Sequence, residues 1–131
     1  MRIRLLTATA VGITLAAAAP ALASGPQYIH LGVSTGDRAT SGAADLTVTR
    51  EGSGYRVHGT VSTSYGSSGC IVLRGVEKHL GMDFGGDDMT KVCGANHSAT
   101  VDRYTGHHNV VLVVDESGTL DFESKIVGLT G

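Results

Sequence analysis

The chain has 131 residues, with 10 Lys and Arg against 12 Asp and Glu, 19 glycines, two cysteines and no tryptophan. A formal charge of −2 without a basic stretch offers nothing to neutralise a phosphate backbone, so nucleic-acid binding is set aside. The length suits one domain, and a domain of this size builds a modest core that gains from a covalent brace.

The N-terminus reads first as a targeting segment. Arg2 and Arg4 precede an apolar run of 15 residues, Leu5 to Ala19, and Ala21-Leu22-Ala23 fits a small-x-small cleavage site. That is the anatomy of a secretory signal peptide over 1–23, leaving a single small β-rich domain over 24–131 in an extracellular setting. A membrane helix needs about 20 apolar residues, so no stable membrane anchor is expected. The domain after cleavage carries a net charge of −4 and 18 glycines in 108 residues.

Beyond the leader the dominant period is two. Tyr28, His30 and Gly32 alternate with Ile29, Leu31 and Val33, an opening strand. Ala44, Leu46 and Val48 alternate with Asp45, Thr47 and Thr49, and Tyr55, Val57, Gly59 and Val61 alternate with Arg56, His58, Thr60 and Ser62. Glu51-Gly52-Ser53-Gly54 lies between these runs and predicts a hairpin. The next segment, Cys70 to Leu80, pulls two ways. Its start is β-branched, yet Leu73, Val76 and Leu80 share a helical stripe, with Ser68 as N-cap and Gly81 as stop. The stripe favours one short helix near 71–80 or a strand-to-helix transition.

Met82 to Asn96, rich in glycine and aspartate, reads as a long loop. Ser98 to Tyr104 reads as a further strand, turning at Thr105-Gly106 into the unbroken β-branched run Val110 to Val114. Such a run suits a central strand covered on both faces. Asp115 to Gly118 then predicts a turn, with Leu120, Phe122 and Ser124 alternating on the return. The fold class is mostly β: an antiparallel sheet or small β-sandwich, with that one short helix near 71–80 and one disulfide.

Cys70 and Cys93 are the only cysteines, and in an exported chain two cysteines most simply form one bond. Metal and catalytic readings fare less well. His107 and His108, adjacent on a strand, would point to opposite faces, and His30, His58, His79 and His97 show no ligand spacing. Asp83, Asp87 and Asp88 fail the calcium-loop pattern because Gly85 occupies its third position. No Gly-x-Ser-x-Gly elbow or paired catalytic carboxylates can be fixed, so neither an enzyme nor a cofactor is expected. What remains is a stapled β domain whose longest loop ends near Cys93, an arrangement suited to binding a protein partner.

Cys70-Ile71-Val72-Leu73-Arg74-Gly75-Val76 resembles the Cys-x-x-Leu-Arg-x-Val segment of the Streptomyces subtilisin inhibitor family, and Thr100-Val101-Asp102 is similar to a later strand there. Family members carry four cysteines, whereas this chain carries two. The resemblance implies an antiparallel sheet with short helices, a homodimer and inhibition of secreted serine proteases. It puts Gly94, Ala95, Asn96 and His97 in the binding loop, with Ala95 presented to the protease pocket. His97-Ser98-Ala99-Thr100-Val101 is similar to a stretch of lactococcin-972-type bacteriocins, which implies the alternative of a secreted antimicrobial. A cell-surface structural factor is the remaining alternative.

Overall fold

The computed structural model describes residues 25–36, 39–79, 82–115 and 123–131. The leader expected over 1–23, Leu80 and Gly81, and the turn and return expected over 116–122 lie outside the described residues. Among the described residues eight strands are seen: β1 (Gln27–Ser34), β2 (Ser41–Glu51), β3 (Gly54–Thr63), β4 (Cys70–His79), β5 (Met82–Cys93), β6 (Ser98–Thr105), β7 (Asn109–Asp115) and β8 (Val127–Gly128). They form two four-stranded sheets, ordered β1-β2-β3-β6 and β5-β4-β7-β8, with every pairing antiparallel.

Side-chain alternation sets the architecture. Ile29, Leu31 and Val33 of β1, Ala44, Leu46 and Val48 of β2, and Val57 and Val61 of β3 turn one face of the first sheet inward. They meet Ile71 and Leu73 of β4 and Val110, Leu112 and Val114 of β7 in one shared core, so the two sheets form a β-sandwich. The hairpin of β2 and β3 closes with Glu51 opposite Gly54. Gly52 takes φ +62° at the first central position, the place where a two-residue type II′ turn favours glycine.

The valine run behaves as its composition requires. Val110, Leu112 and Val114 face the main core, while Val111 and Val113 join Val76 and Ile126 in a second cluster on the opposite face of the sheet. Burial on both faces removes the polar alternation and leaves a run that is apolar throughout. The return after β7 enters the described residues at Glu123, which bridges to Val113, and the Ser124 amide donates to the Leu112 carbonyl.

Two sequence expectations are corrected. Cys70 to His79 is a strand, not a helix. β4 lies between β5 and β7 with both faces covered, so Leu73 enters the main core and Val76 the second cluster. That double burial mimics a helical stripe. Gly75 belongs in the strand because a Cβ there would press against Thr105 and Met89.

Met82 to Cys93 is likewise a strand, β5, rather than part of a long loop. Its polarity is that of a sheet edge, where charges discourage further pairing. Its ladder to β4 shifts register between Leu73 and Arg74 and again between Gly75 and Glu77. The first shift accommodates Met89, which turns into the core. Cys70 and Cys93 are directly opposed on β4 and β5 and joined by a disulfide.

Candidate functional site: the disulfide-braced loop end

The strand directions gather three connections at one end of the sandwich: residues 35–40 between β1 and β2, 64–69 between β3 and β4, and 94–97 between β5 and β6. The last carries the chain from one sheet to the other in four residues. Gly94 at φ +84° and Asn96 at φ +54° make that tight reversal, and glycine and asparagine are the residue types that tolerate left-handed backbone. Ala95 and Asn96 are exposed at its tip.

The tip is exposed but tied. The Gly94 amide donates to the Gly69 carbonyl at 3.1 Å, and the Asn96 amide donates to the Ser64 carbonyl at 3.0 Å. Thr63, a buried side chain, accepts from the His97 amide through Oγ1 at 2.9 Å, while its own amide donates to the His97 carbonyl at 2.8 Å. The His97 ring folds back, its Nδ1 donating to the Cys93 carbonyl at 2.7 Å. The disulfide sits at the base, joining the residue before Gly94 to the residue after Gly69.

The middle connection is tied equally to the first. Ser68 donates from its amide to the Ala39 carbonyl at 2.8 Å, and Ser67 Oγ accepts from the Ser41 amide at 3.2 Å. Thr40 is fully buried, and its Oγ1 accepts from the Gly69 amide at 3.0 Å. One side chain stands clear of this network: Tyr65 is 91% exposed. Among the described residues of the three connections none is Asp, Glu, Lys or Arg. Asp37 and Arg38 of the first connection lie outside the described residues, so the described part of this surface presents hydroxyls, amides and glycines beside the rings of Tyr65 and His97. Sequence reading missed Tyr65, although a lone tyrosine within Ser64-Tyr65-Gly66-Ser67-Ser68-Gly69 was the available signal.

The opposite end is built from charges. His107 and His108 lie in the connector from β6 to β7, not on a strand, and both turn toward Glu77 of β4. This corrects the expectation that they face apart. His107 Nδ1 is 3.3 Å from Glu77 Oε2, its Nε2 is 3.2 Å from Asp87 Oδ2, and the His108 amide donates to Glu77 Oε2 at 2.9 Å. The His108 side chain first, and then its amide, hold the Glu77 carboxyl below the usual range against the opposing effect of burial.

The remaining candidates do not converge. Asp88 pairs with Arg74 at 2.7 Å, and His30 pairs with Asp45 at 2.6 Å. Of Asp83 and His79 only the backbone is described. No group of three or more His, Cys, Asp or Glu among the described residues is arranged to hold a metal ion. Compared with known protein families, curated proteins and solved structures, the chain finds no match.

Proposed function

We propose that this chain is a secreted, non-enzymatic domain that binds an extracellular protein through its loop end, with Gly94 to His97 at the centre and Tyr65 beside them. The observation that carries the reading is the pairing of exposure with fixation. Ala95 and Asn96 are exposed, while the amides of Gly94, Asn96 and His97 are each held by a partner at 3.1 Å or less. A tip already fixed in shape loses little conformational freedom when it docks, which favours affinity. Tyrosine with serine, glycine and asparagine is also the composition of adaptable binding surfaces, the ring supplying area at low entropic cost.

Inhibition of a serine protease is the sharpest form of this proposal, with Ala95 as the residue presented. Left-handed backbone on both sides of Ala95 gives it a tight turn rather than an extended segment, so the broader reading of protein binding has the better support. Titrating subtilisin and trypsin with the oxidised protein separates the two. Stoichiometric loss of protease activity that changes with Ala95→Arg supports inhibition. An inert or digested protein removes it. The broader reading is tested by recovering extracellular partners on the wild-type protein and on Tyr65→Ala/Ala95→Arg. Partners retained equally by both would count against the loop end as the binding surface.

A further inference from the structure

A second feature lies on the outer face of the first sheet, away from the loop end. The register of β1 against β2 sets Tyr28 opposite Thr47 and His30 opposite Asp45. The alternation that buries Ile29, Leu31 and Leu46 turns these four side chains outward, as two successive cross-strand pairs. Between them is an open hollow of about 300 Å³, lined by Tyr28, Ile29, His30, Asp45, Leu46 and Thr47. That volume stands at the low end of the roughly 300–1,000 Å³ typical of ligand pockets, room for one ring rather than an extended molecule.

The chemistry of the lining narrows the ligand. Tyr28 is 75% exposed, an aromatic surface left in water beside polar groups. His30 Nδ1 and Asp45 Oδ1 are 2.6 Å apart, so each side chain orients the other. The pair leaves Asp45 Oδ2 and His30 Nε2 without a protein partner among the described residues. A carboxylate oxygen accepts, an imidazole nitrogen accepts or donates by tautomer, and the Thr47 hydroxyl does either. Vicinal hydroxyls on a six-membered sugar ring match that set, while the ring's C–H face packs on the tyrosine. Among the described residues Asp45 is the only carboxylate lining the hollow, and its charge disfavours a ligand that is itself anionic. On the next strand His58 stands opposite Thr47 and Thr60 opposite Asp45, both exposed, so the polar row continues across the sheet.

We propose that the hollow over β1 and β2 is a binding subsite for a neutral pyranose of an oligosaccharide, with Tyr28 as the stacking platform and Asp45, His30 and Thr47 as hydroxyl partners. This does not depend on the loop-end reading. The test is an amide-resolved NMR titration of the oxidised protein with cellohexaose, chitohexaose, maltohexaose and an oligogalacturonate. At least one neutral oligosaccharide should shift the amides of Tyr28 to Leu31 and Asp45 to Thr47 saturably, and the acidic oligomer should not. Tyr28→Ala should weaken that binding by about tenfold through loss of the stacked ring, whereas Tyr28→Phe should retain it. Asp45→Asn should weaken it too, because the oriented acceptor is lost. Both side chains are exposed, so the variants should fold as the parent does. The proposal fails if no neutral oligosaccharide moves these amides, if Tyr28→Ala binds as well as the parent, or if the shifts fall instead at Ser64 to Gly69 or Gly94 to His97.

Discussion

The two ends of the sandwich are assembled from different interactions. At the loop end, neutral donors and acceptors satisfy one another over a disulfide: Gly94 to Gly69, Asn96 to Ser64, His97 to Thr63, Gly69 to Thr40. At the other end the connector from β6 to β7 is held by an acidic side chain, Glu77, reaching His107 and His108, and the nearby β2–β3 turn carries the Arg56–Glu51 pair at 2.8 Å. Exposed ion pairs are screened by salt and vanish when a partner changes protonation, whereas neutral backbone bonds do neither. The loop end, whose connections are held by neutral bonds with the Lys91–Asp115 pair beside the disulfide, is therefore the one whose shape should persist across conditions. A binding surface benefits from that persistence. The charged end has the weaker hold and the greater sensitivity.

Removing the brace should produce the largest effect. Cys70→Ala/Cys93→Ala releases a loop spanning 23 positions. On the chain-entropy account this costs roughly 3 kcal/mol, measurable as a lower denaturation midpoint. Hydrogen exchange should accelerate most at Gly94 and Asn96, and least at His108. Equal acceleration at both ends would erase the distinction between them. Thr40→Val comes next. Thr40 is fully buried and its hydroxyl is the acceptor for the Gly69 amide, so the substitution strands a donor at a cost of about 2 kcal/mol. Its effect should also concentrate at the loop end.

Much of this fold is legible in the sequence, and the misses have a physical cause. β1, β2 and β3 each bury one face and expose the other, and their alternation announces it. β4 is buried on both faces, so periodicity cannot distinguish it from a helix; what fixes it is pairing with β5 and β7, which is non-local. β5 is an edge strand whose glycines and aspartates match loop composition, and only its ladder to β4 reveals it. The candidate site divides similarly. The cysteine pair can be found by counting, while Gly94 to His97 are singled out only by the family resemblance. Thr40 joins the loop end through a contact across the chain, the Gly69–Thr40 bond spanning 29 positions, and Tyr65 is carried there by the 64–69 connection, whose ends are tied to Asn96 and Ala39. The convergence of His107 and His108 on Glu77 was hidden because the connector, not a strand, carries them.

A smaller effect should come from the backbone of the tip. Gly94 takes φ +84°, and an added Cβ would stand 3.3 Å from the His97 ring. Gly94→Ala should cost roughly 1 kcal/mol, from the left-handed conformation more than from crowding, because the ring can shift. Asn96→Gly, at φ +54°, removes a side chain without adding strain and should leave stability within about 0.5 kcal/mol. If both substitutions were neutral by denaturant titration, the tip would not be fixed by its own backbone and the preorganisation argument would lose its footing.

A further small effect belongs to Glu77, and it is the one that should carry a pH signature. Its carboxyl is held below the usual carboxylate range, chiefly by the hydrogen bond from the His108 side chain. A carboxylate with a depressed folded value contributes stability that is complete above its unfolded value and is lost as pH falls through the folded one. The His108 amide, bonded to Glu77 Oε2, should therefore report a titration with its midpoint below that of an ordinary glutamate. Amides of the loop end should not follow that midpoint, apart from the neighbourhood of Asp115, whose own carboxyl is lowered by Lys91. Glu77→Gln keeps an acceptor for the His108 amide and loses only the charge. With the side chain 40% exposed, solvent screening limits the expected loss to less than about 1 kcal/mol near neutral pH. The diagnostic change is that protection at His108 becomes independent of pH in the acid range while the loop end is untouched. A matching acid response at Gly94 and Asn96 in the parent protein would mean that the two ends open together, and the separation argued from their chemistry would fail.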